Sequence, residues 1–281
     1  MIALTAEEVE RGYNNRAAVP DHPQWFERWA KASVEARAKY APKLDLRYGS
    51  NPKETLDLFL PAGKPRGTLM FVHGGYWRAL DKSDHSFAAG PFVEQGIAVA
   101  VQNYDLCPQV TIATIVDETR RCVAWLAHEG AKHGADASNV VVAGHSAGGH
   151  LAAMMLATPA PGFGLERHPL AGAVSLSGVH DLAPMVLFSF NADFHLDEAE
   201  AARLSPALLP VAARAPILAA VGADETAEFL RQARLLWDAW PANRPTGDDA
   251  PLAIAGRHHF SVVFDYADAG SELTRRTLAL F

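Results

Sequence analysis

Residues 140–150 read VVVAGHSAGGH, and they leave the backbone little choice. Val140 to Val142 are β-branched and favour extended backbone. From Leu151 to Met155 a small-residue helical pattern follows. Between them, Gly144-His145-Ser146-Ala147-Gly148 must turn a strand into a helix within a few residues. The two elements nearly collide there, and Gly144 and Gly148 omit the side chains that would block them. Ser146 stands at the apex, where strained backbone would lift its hydroxyl above a sheet edge. A serine held in this way is a candidate nucleophile. Its three fixed positions recur by chance in about one chain in ten of this length, so the motif needs partners elsewhere.

The rest of the chain supplies a setting. Thr55 to Leu60, Gly67 to Val72, Gly96 to Val101, Val140 to Ala143, Leu170 to Leu176, Pro216 to Val221 and Pro251 to Ala255 are short apolar runs. Helical patterns separate several of them. Thr111 to Leu126, for example, puts Ile112, Ile115, Val116, Thr119, Val123 and Leu126 on one face and Asp117, Glu118, Arg120 and Arg121 on the other. Such alternation predicts an α/β fold, a mostly parallel central sheet with helices on both faces. With 49% hydrophobic and 20% charged residues in 281, one domain spanning 1–281 has ample core. Two segments stand outside the alternation. One is an N-terminal helical lead over about 1–40, in which Pro23 to Tyr40, with Trp25, Trp29 and Val34 near helical spacing, reads as a helix packed outside the core, with cover for the site face or a partner surface as the alternative. The other, about 178–210, carries Phe188, Phe190 and Phe194 and is expected to form a small helical cap insert.

Several function classes fall away. A net charge of −7 disfavours nucleic acid and anionic membranes as partners. No run approaches about eighteen consecutive apolar residues, so no membrane span is expected. The charged N-terminus lacks the apolar core of a signal peptide, which points to the cytoplasm. Cys107 and Cys122 read as free buried thiols. There is no HExxH and no His/Cys/Asp cluster at metal spacing, so neither metal nor cofactor is expected. The expected partner is a small-molecule substrate; a homodimer is left open.

A serine hydroxyl needs a base to take its proton, and the base needs an acid to orient it. In a sheet of this kind the three follow in the order serine, acid, histidine. After Ser146 come Asp224 or Glu225, directly behind the run ending at Val221, and His258 or His259, behind the last run. Spacing separates neither pair. An oxyanion hole would take the Ala147 N–H at the helix start and the Gly75 and Tyr76 amides of His73-Gly74-Gly75-Tyr76-Trp77, a glycine-rich loop after an early strand. Tyr76 and Trp77 are candidate substrate contacts. His145 and His150 read as packing around the elbow.

Together these motifs resemble the kynurenine formamidase (arylformamidase) branch of the α/β-hydrolases. HGGYW at 73–77 matches that branch's HGGxW signature. NNRAAVPDHPQWFERW at 14–29, NYDLCP at 103–108, GHSAGGHLAA at 144–153, SGVHDLAPM at 177–185, ARLSP at 202–206, DETAEFLRQ at 224–232 and HHFSVV at 258–263 are similar to its other blocks. The resemblance implies that Glu225, immediately before Thr226-Ala227-Glu228-Phe229, is the acid, although many members carry Asp there. It implies that His259, immediately before Phe260-Ser261, is the base. It also implies hydrolysis of a small acyl amide or ester through an acyl-enzyme, with N-formyl-kynurenine-like substrates expected first and a general small-acyl carboxylesterase as the alternative.

Overall fold

A computed structural model describes residues 4–281. Eight strands form one sheet: β1 (Lys43–Arg47), β2 (Thr55–Phe59), β3 (Thr68–Val72), β4 (Ala98–Gln102), β5 (Val140–His145), β6 (Leu170–Leu176), β7 (Ile217–Gly222) and β8 (Leu252–Ile254). Their spatial order is β1-β2-β4-β3-β5-β6-β7-β8. The β1–β2 and β2–β4 pairs are antiparallel. All other pairs, from β4 across to β8, are parallel.

Parallel strands need crossover connections, and helices serve that purpose here and bury both faces. Every residue of β5 is buried, which is why its sequence shows continuous apolar character rather than alternation. Side chains still alternate between two cores. Met70, Val72, Ala100 and Val142 join Ile115, Leu151 and Phe229 on one face. Leu69, Phe71, Val99, Val101 and Val141 join Trp29, Phe92 and Leu273 on the other. The helices Ile112–His128, Ala147–Ala157 and Ala227–Ala239 thus cover the first face, and His22–Tyr40 and Glu272–Leu278 the second.

Three local expectations change. β1 has no apolar run to announce it: it is a charged edge strand, exposed at Lys43, Asp45 and Arg47, and charge on an edge discourages further pairing. Glu118 is not on a solvated face. It is buried, accepting the Asp105 N–H at 2.8 Å and the Asn51 amide at 2.9 Å. Val34 is 59% exposed, and Trp29, Ser33 and Ala36 form the buried stripe of their helix. No helix among the described residues is long and apolar enough to cross a membrane.

Register aligns the carboxyl ends of the parallel strands: Val72 pairs Gly144, Gly144 pairs Ser175, Leu176 pairs Ala220, and Gly222 pairs Ile254. The loops that follow β3, β5, β6, β7 and β8 therefore emerge along one edge, where ligands of open α/β sheets bind.

Candidate active site

The turn after β5 is as tight as its sequence implies. Ser146 has φ 57° and ψ −118°, a conformation that costs on the order of 1–3 kcal/mol and persists only where the surroundings enforce it. The surroundings do. The Ser146 N–H donates to the Leu176 carbonyl at 2.8 Å, and the Ser146 carbonyl accepts the His150 N–H at 3.1 Å. A Cβ on Gly148 would lie 2.0 Å from the Val72 carbonyl oxygen, and one on Gly144 would lie 2.0 Å from the Gly148 carbonyl oxygen. Strand and helix are in contact through the absent side chains.

His259 reaches this serine from the loop after β8, with Nε2 3.0 Å from Ser146 Oγ. Its Nδ1 faces Glu225 Oε2 at 2.6 Å. Glu225 follows β7 directly, and its side chain is fully buried. Its other oxygen, Oε1, accepts the Gly222 N–H at 2.8 Å and the Ser177 hydroxyl at 2.5 Å. The neighbours of these residues point elsewhere. Asp224 is exposed. His258 turns outward, its ring 5.3 Å from that of Trp25, and its Nδ1 accepts the Phe260 N–H.

The loop after β3 closes over the serine. A Cβ on Gly74 would lie 3.0 Å from Ser146 Cβ. Gly75, Tyr76 and Trp77 all have positive φ, at 104°, 51° and 54°. The N–H groups of Gly75, Tyr76 and Ala147 make no backbone hydrogen bond among the described residues, so three donors remain free beside Ser146. The other histidines around the site are structural. His73 stacks on Tyr104 at 4.2 Å, and burial pushes its imidazole down to about 4. His145 Nε2 lies 2.9 Å from the His259 carbonyl oxygen, and burial holds its ring well below the usual histidine range. His150 Nε2 bonds the Leu204 carbonyl, and burial lowers that ring to about 4.

Above Ser146 and His259 lies a pocket. Gly75, Tyr76, Arg78, Ala79, Leu80, His145, Phe190 and Phe260 form one part of its wall, and Asn14, Asn15, Arg16, Phe26 and Trp29 of the N-terminal lead form the rest. The lead is tied down at several points. The Tyr76 hydroxyl donates to the Tyr13 carbonyl, and the Thr226 hydroxyl donates to the Gly12 carbonyl at 2.6 Å. The Tyr13 hydroxyl donates to Glu228 at 2.9 Å and accepts from Gln232 at 2.7 Å. The helix His22–Tyr40 therefore does more than pack outside the core: Trp29 is buried in it, and Phe26 and Trp29 also face the pocket.

Residues 56–168 match the BD-FAE family model. Kynurenine formamidase of Salmo salar is 29% identical over 89% of this chain and 85% of its own length. The Drosophila melanogaster kynurenine formamidase is 29% identical over 82% and 78%. A solved structure of a candidate thioesterase from Silicibacter sp. tm1040 superposes with a TM-score of 0.84 at 34% identity, over 95% of this chain and 98% of that one. The chain is a kynurenine formamidase-like α/β-hydrolase. Esterase B of Lactobacillus rhamnosis, at 21% identity and a TM-score of 0.63, shares the fold.

Within this hydrolase one expected contact is misplaced. Trp77 does not line the pocket. Its side chain is fully buried, edge-on to His150 at 5.1 Å and to Phe194 at 5.6 Å. The positive φ at both 76 and 77 sends the Tyr76 ring toward Phe188 and Phe190 and the Trp77 ring into the core. Of the three phenylalanines in the 178–210 segment, Phe190 lines the pocket, whereas Phe188 and Phe194 are buried. Sequence reasoning also missed Ser177, whose hydroxyl bonds Glu225. Its place directly after β6, beside the strand that delivers Glu225, is the signal that would have found it.

Proposed function

We propose that this hydrolase is an arylformamidase of the serine type, acting on N-formyl-kynurenine-like substrates, with 178–210 as a cap on one hydrolase domain. The observation that carries the reading is the unbroken hydrogen-bonded line from Ser146 Oγ through His259 to the buried Glu225 carboxylate. The likeness to kynurenine formamidases supports the formyl group as the acyl part.

His259 Nε2 takes the Ser146 proton as Oγ bonds to the formyl carbon. The oxyanion receives the Gly75, Tyr76 and Ala147 N–H groups; losing one such donor ordinarily lowers kcat by about 100- to 1,000-fold. The C–N bond then breaks, and His259 passes its proton to the departing aryl amine. Water attacks the formyl-serine ester, again giving its proton to His259. Formate leaves and Ser146 recovers its proton. Throughout, Glu225 holds Nδ1–H and keeps the lone pair of Nε2 toward Ser146. Tyr76, Phe190 and Phe26 supply an aromatic wall for the leaving group. Cytoplasmic residence belongs to the same reading and is supported by the two buried free thiols.

A second reading, a small-acyl esterase or thioesterase, draws on the 34% identical candidate thioesterase. Turnover of N-formyl-kynurenine, p-nitrophenyl acetate and an acetyl thioester side by side separates the two. Hydrolysis of the esters without the formamide would displace the first reading. Full turnover by Ser146→Ala would remove the nucleophile from both.

A further inference from the structure

The chain carries 32 Asp and Glu residues against 25 Lys and Arg, yet the pocket has the opposite sign. Arg16 and Arg78 line it and no carboxylate does. Each guanidinium lies over an aromatic ring that also lines the pocket, Arg16 at 5.7 Å from the Phe26 centroid and Arg78 at 4.3 Å from that of Phe190. Arg78 is steadied through Nε by Asp193 at 2.5 Å, which leaves its terminal nitrogens for another partner. Among the described residues Arg16 forms no ion pair. Asn15, next to Arg16 in the chain, lines the same pocket. It is only 4% exposed, and its buried amide nitrogen has no hydrogen-bond acceptor. A buried donor left unpaired costs about 1–3 kcal/mol, so its presence in a pocket wall points to an acceptor that arrives with the ligand.

We infer that Asn15, Arg16 and Arg78 form a carboxylate-reading subsite, and that the hydrolase selects acyl substrates whose leaving group carries an anionic carboxylate. The inference rests on the serine-hydrolase reading of the same pocket. A guanidinium held against an aromatic face presents its edge donors in a fork that matches a carboxylate. Two such forks, with Asp193 held on Arg78 Nε and no carboxylate in the lining itself, draw negative charge into a cleft of an otherwise acidic protein. The subsite lies on the lead and on the loop after β3, so it grips the part of the substrate that departs and leaves the elbow free for the acyl group.

Two acetate esters separate the charge from the bond that breaks. Phenyl acetate and 4-acetoxybenzoate share the acetyl group and differ by one carboxylate. Binding is read by calorimetry on Ser146→Ala protein, and turnover on protein with Ser146 intact. The Ser146→Ala protein is expected to bind 4-acetoxybenzoate at least about tenfold more tightly than phenyl acetate. Adding Arg16→Gln should reduce that ratio severalfold, and adding Arg78→Gln should bring it to about one. Asn15→Asp, which sets a negative charge in the wall, should invert it. Salt should weaken the anion more than the neutral ester. Arg11→Gln, on the exposed face of the helix Ala6–Tyr13 and outside the pocket, should keep the wild-type ratio. Equal binding of the two esters, or a preference that survives the Arg16→Gln/Arg78→Gln double change, overturns the inference. Acetate release that persists in Ser146→Ala instead removes the nucleophile, and the binding ratio still decides the subsite.

Discussion

Glu225→Gln changes one atom and no shape, yet the hydrogen-bond polarity around residue 225 makes it a severe substitution. Oε1 accepts the Gly222 N–H and the Ser177 hydroxyl, and Oε2 faces His259 Nδ1. A backbone N–H cannot reverse its polarity, so the glutamine must turn its oxygen toward Gly222 and its NH2 toward the imidazole. His259 Nδ1 must then accept, and the ring proton moves to Nε2, which lies 3.0 Å from Ser146 Oγ. The base thus meets its nucleophile as a donor. Flipping the amide to restore the productive tautomer sets an NH2 against the Gly222 N–H, a buried mismatch of about 1–3 kcal/mol. The imidazolium of the transition state also loses the carboxylate hydrogen-bonded to its Nδ1, worth about 4 kcal/mol for charge centres roughly 4 Å apart at an effective dielectric near 20. Together these give a loss in kcat/KM of about 1,000- to 10,000-fold, or about 4 to 5.5 kcal/mol. The assay is steady-state hydrolysis of p-nitrophenyl acetate and N-formyl-kynurenine at neutral pH, with the thermal midpoint as a folding control. Exposed Asp224, changed to Asn, should stay within about twofold of wild type, as surface substitutions usually do. A loss under tenfold for Glu225→Gln, or an equal loss for Asp224→Asn, would refute the reasoning.

Other residues give sharp expectations. Ser177→Ala and Ser177→Gly both delete the hydroxyl on Glu225 Oε1, and each should lower kcat by about tenfold with KM little changed, in line with one hydrogen bond to a charged group; unchanged kcat in both would show that Ser177 does not position Glu225. Gly148→Ala forces a methyl to within 2.0 Å of the Val72 carbonyl, so the thermal midpoint should fall by the equivalent of about 3 kcal/mol or the protein should fail to fold; a wild-type melt would contradict the close approach. Burial pushes His73, His85 and His150 down to about 4 and His180 to about 3. Between those values and the ordinary 6.5, the unfolded chain binds protons that the folded chain excludes. Stability is therefore fully present above about pH 6.5 and falls as the pH drops toward 4, by up to about 3 kcal/mol per ring. A thermal midpoint that stays level from about pH 7 to pH 4.5 would exclude this account.

Much of the architecture is legible in the chain because its causes are local. Continuous apolar runs of β3, β4, β5 and β7 mark strands buried on both faces, and the alternating helical pattern marks the cover. Where cause and sequence are remote, reading stops. β1 looks polar because an edge strand is solvated on one side. Glu118 looks like part of a solvated face, yet it is buried by the Asn51 and Asp105 segments that fold over it. Trp77 looks like a neighbour of Tyr76 in function, but consecutive positive φ values send the two rings to different places.

The candidate site divides along the same line. Sequence alone determined the elbow at Ser146 and the glycine-rich loop at 73–77, because sterics within a few residues demand them, and the order of serine, acid and histidine, because each follows an apolar run of the sheet. Spacing could not choose between Asp224 and Glu225 or between His258 and His259, and that choice entered through family resemblance. Only the tertiary structure put Glu225 and His259 in a hydrogen-bonded line with Ser146 and turned Asp224 and His258 away. It alone added Ser177 behind the acid and brought Asn15, Arg16, Phe26 and Trp29 across the sheet edge to Phe190. That pocket gathers Asn15 and Phe190 from positions 175 apart in sequence. No local propensity encodes such meetings; they arise when helices pack and parallel strands bring their carboxyl ends to one edge.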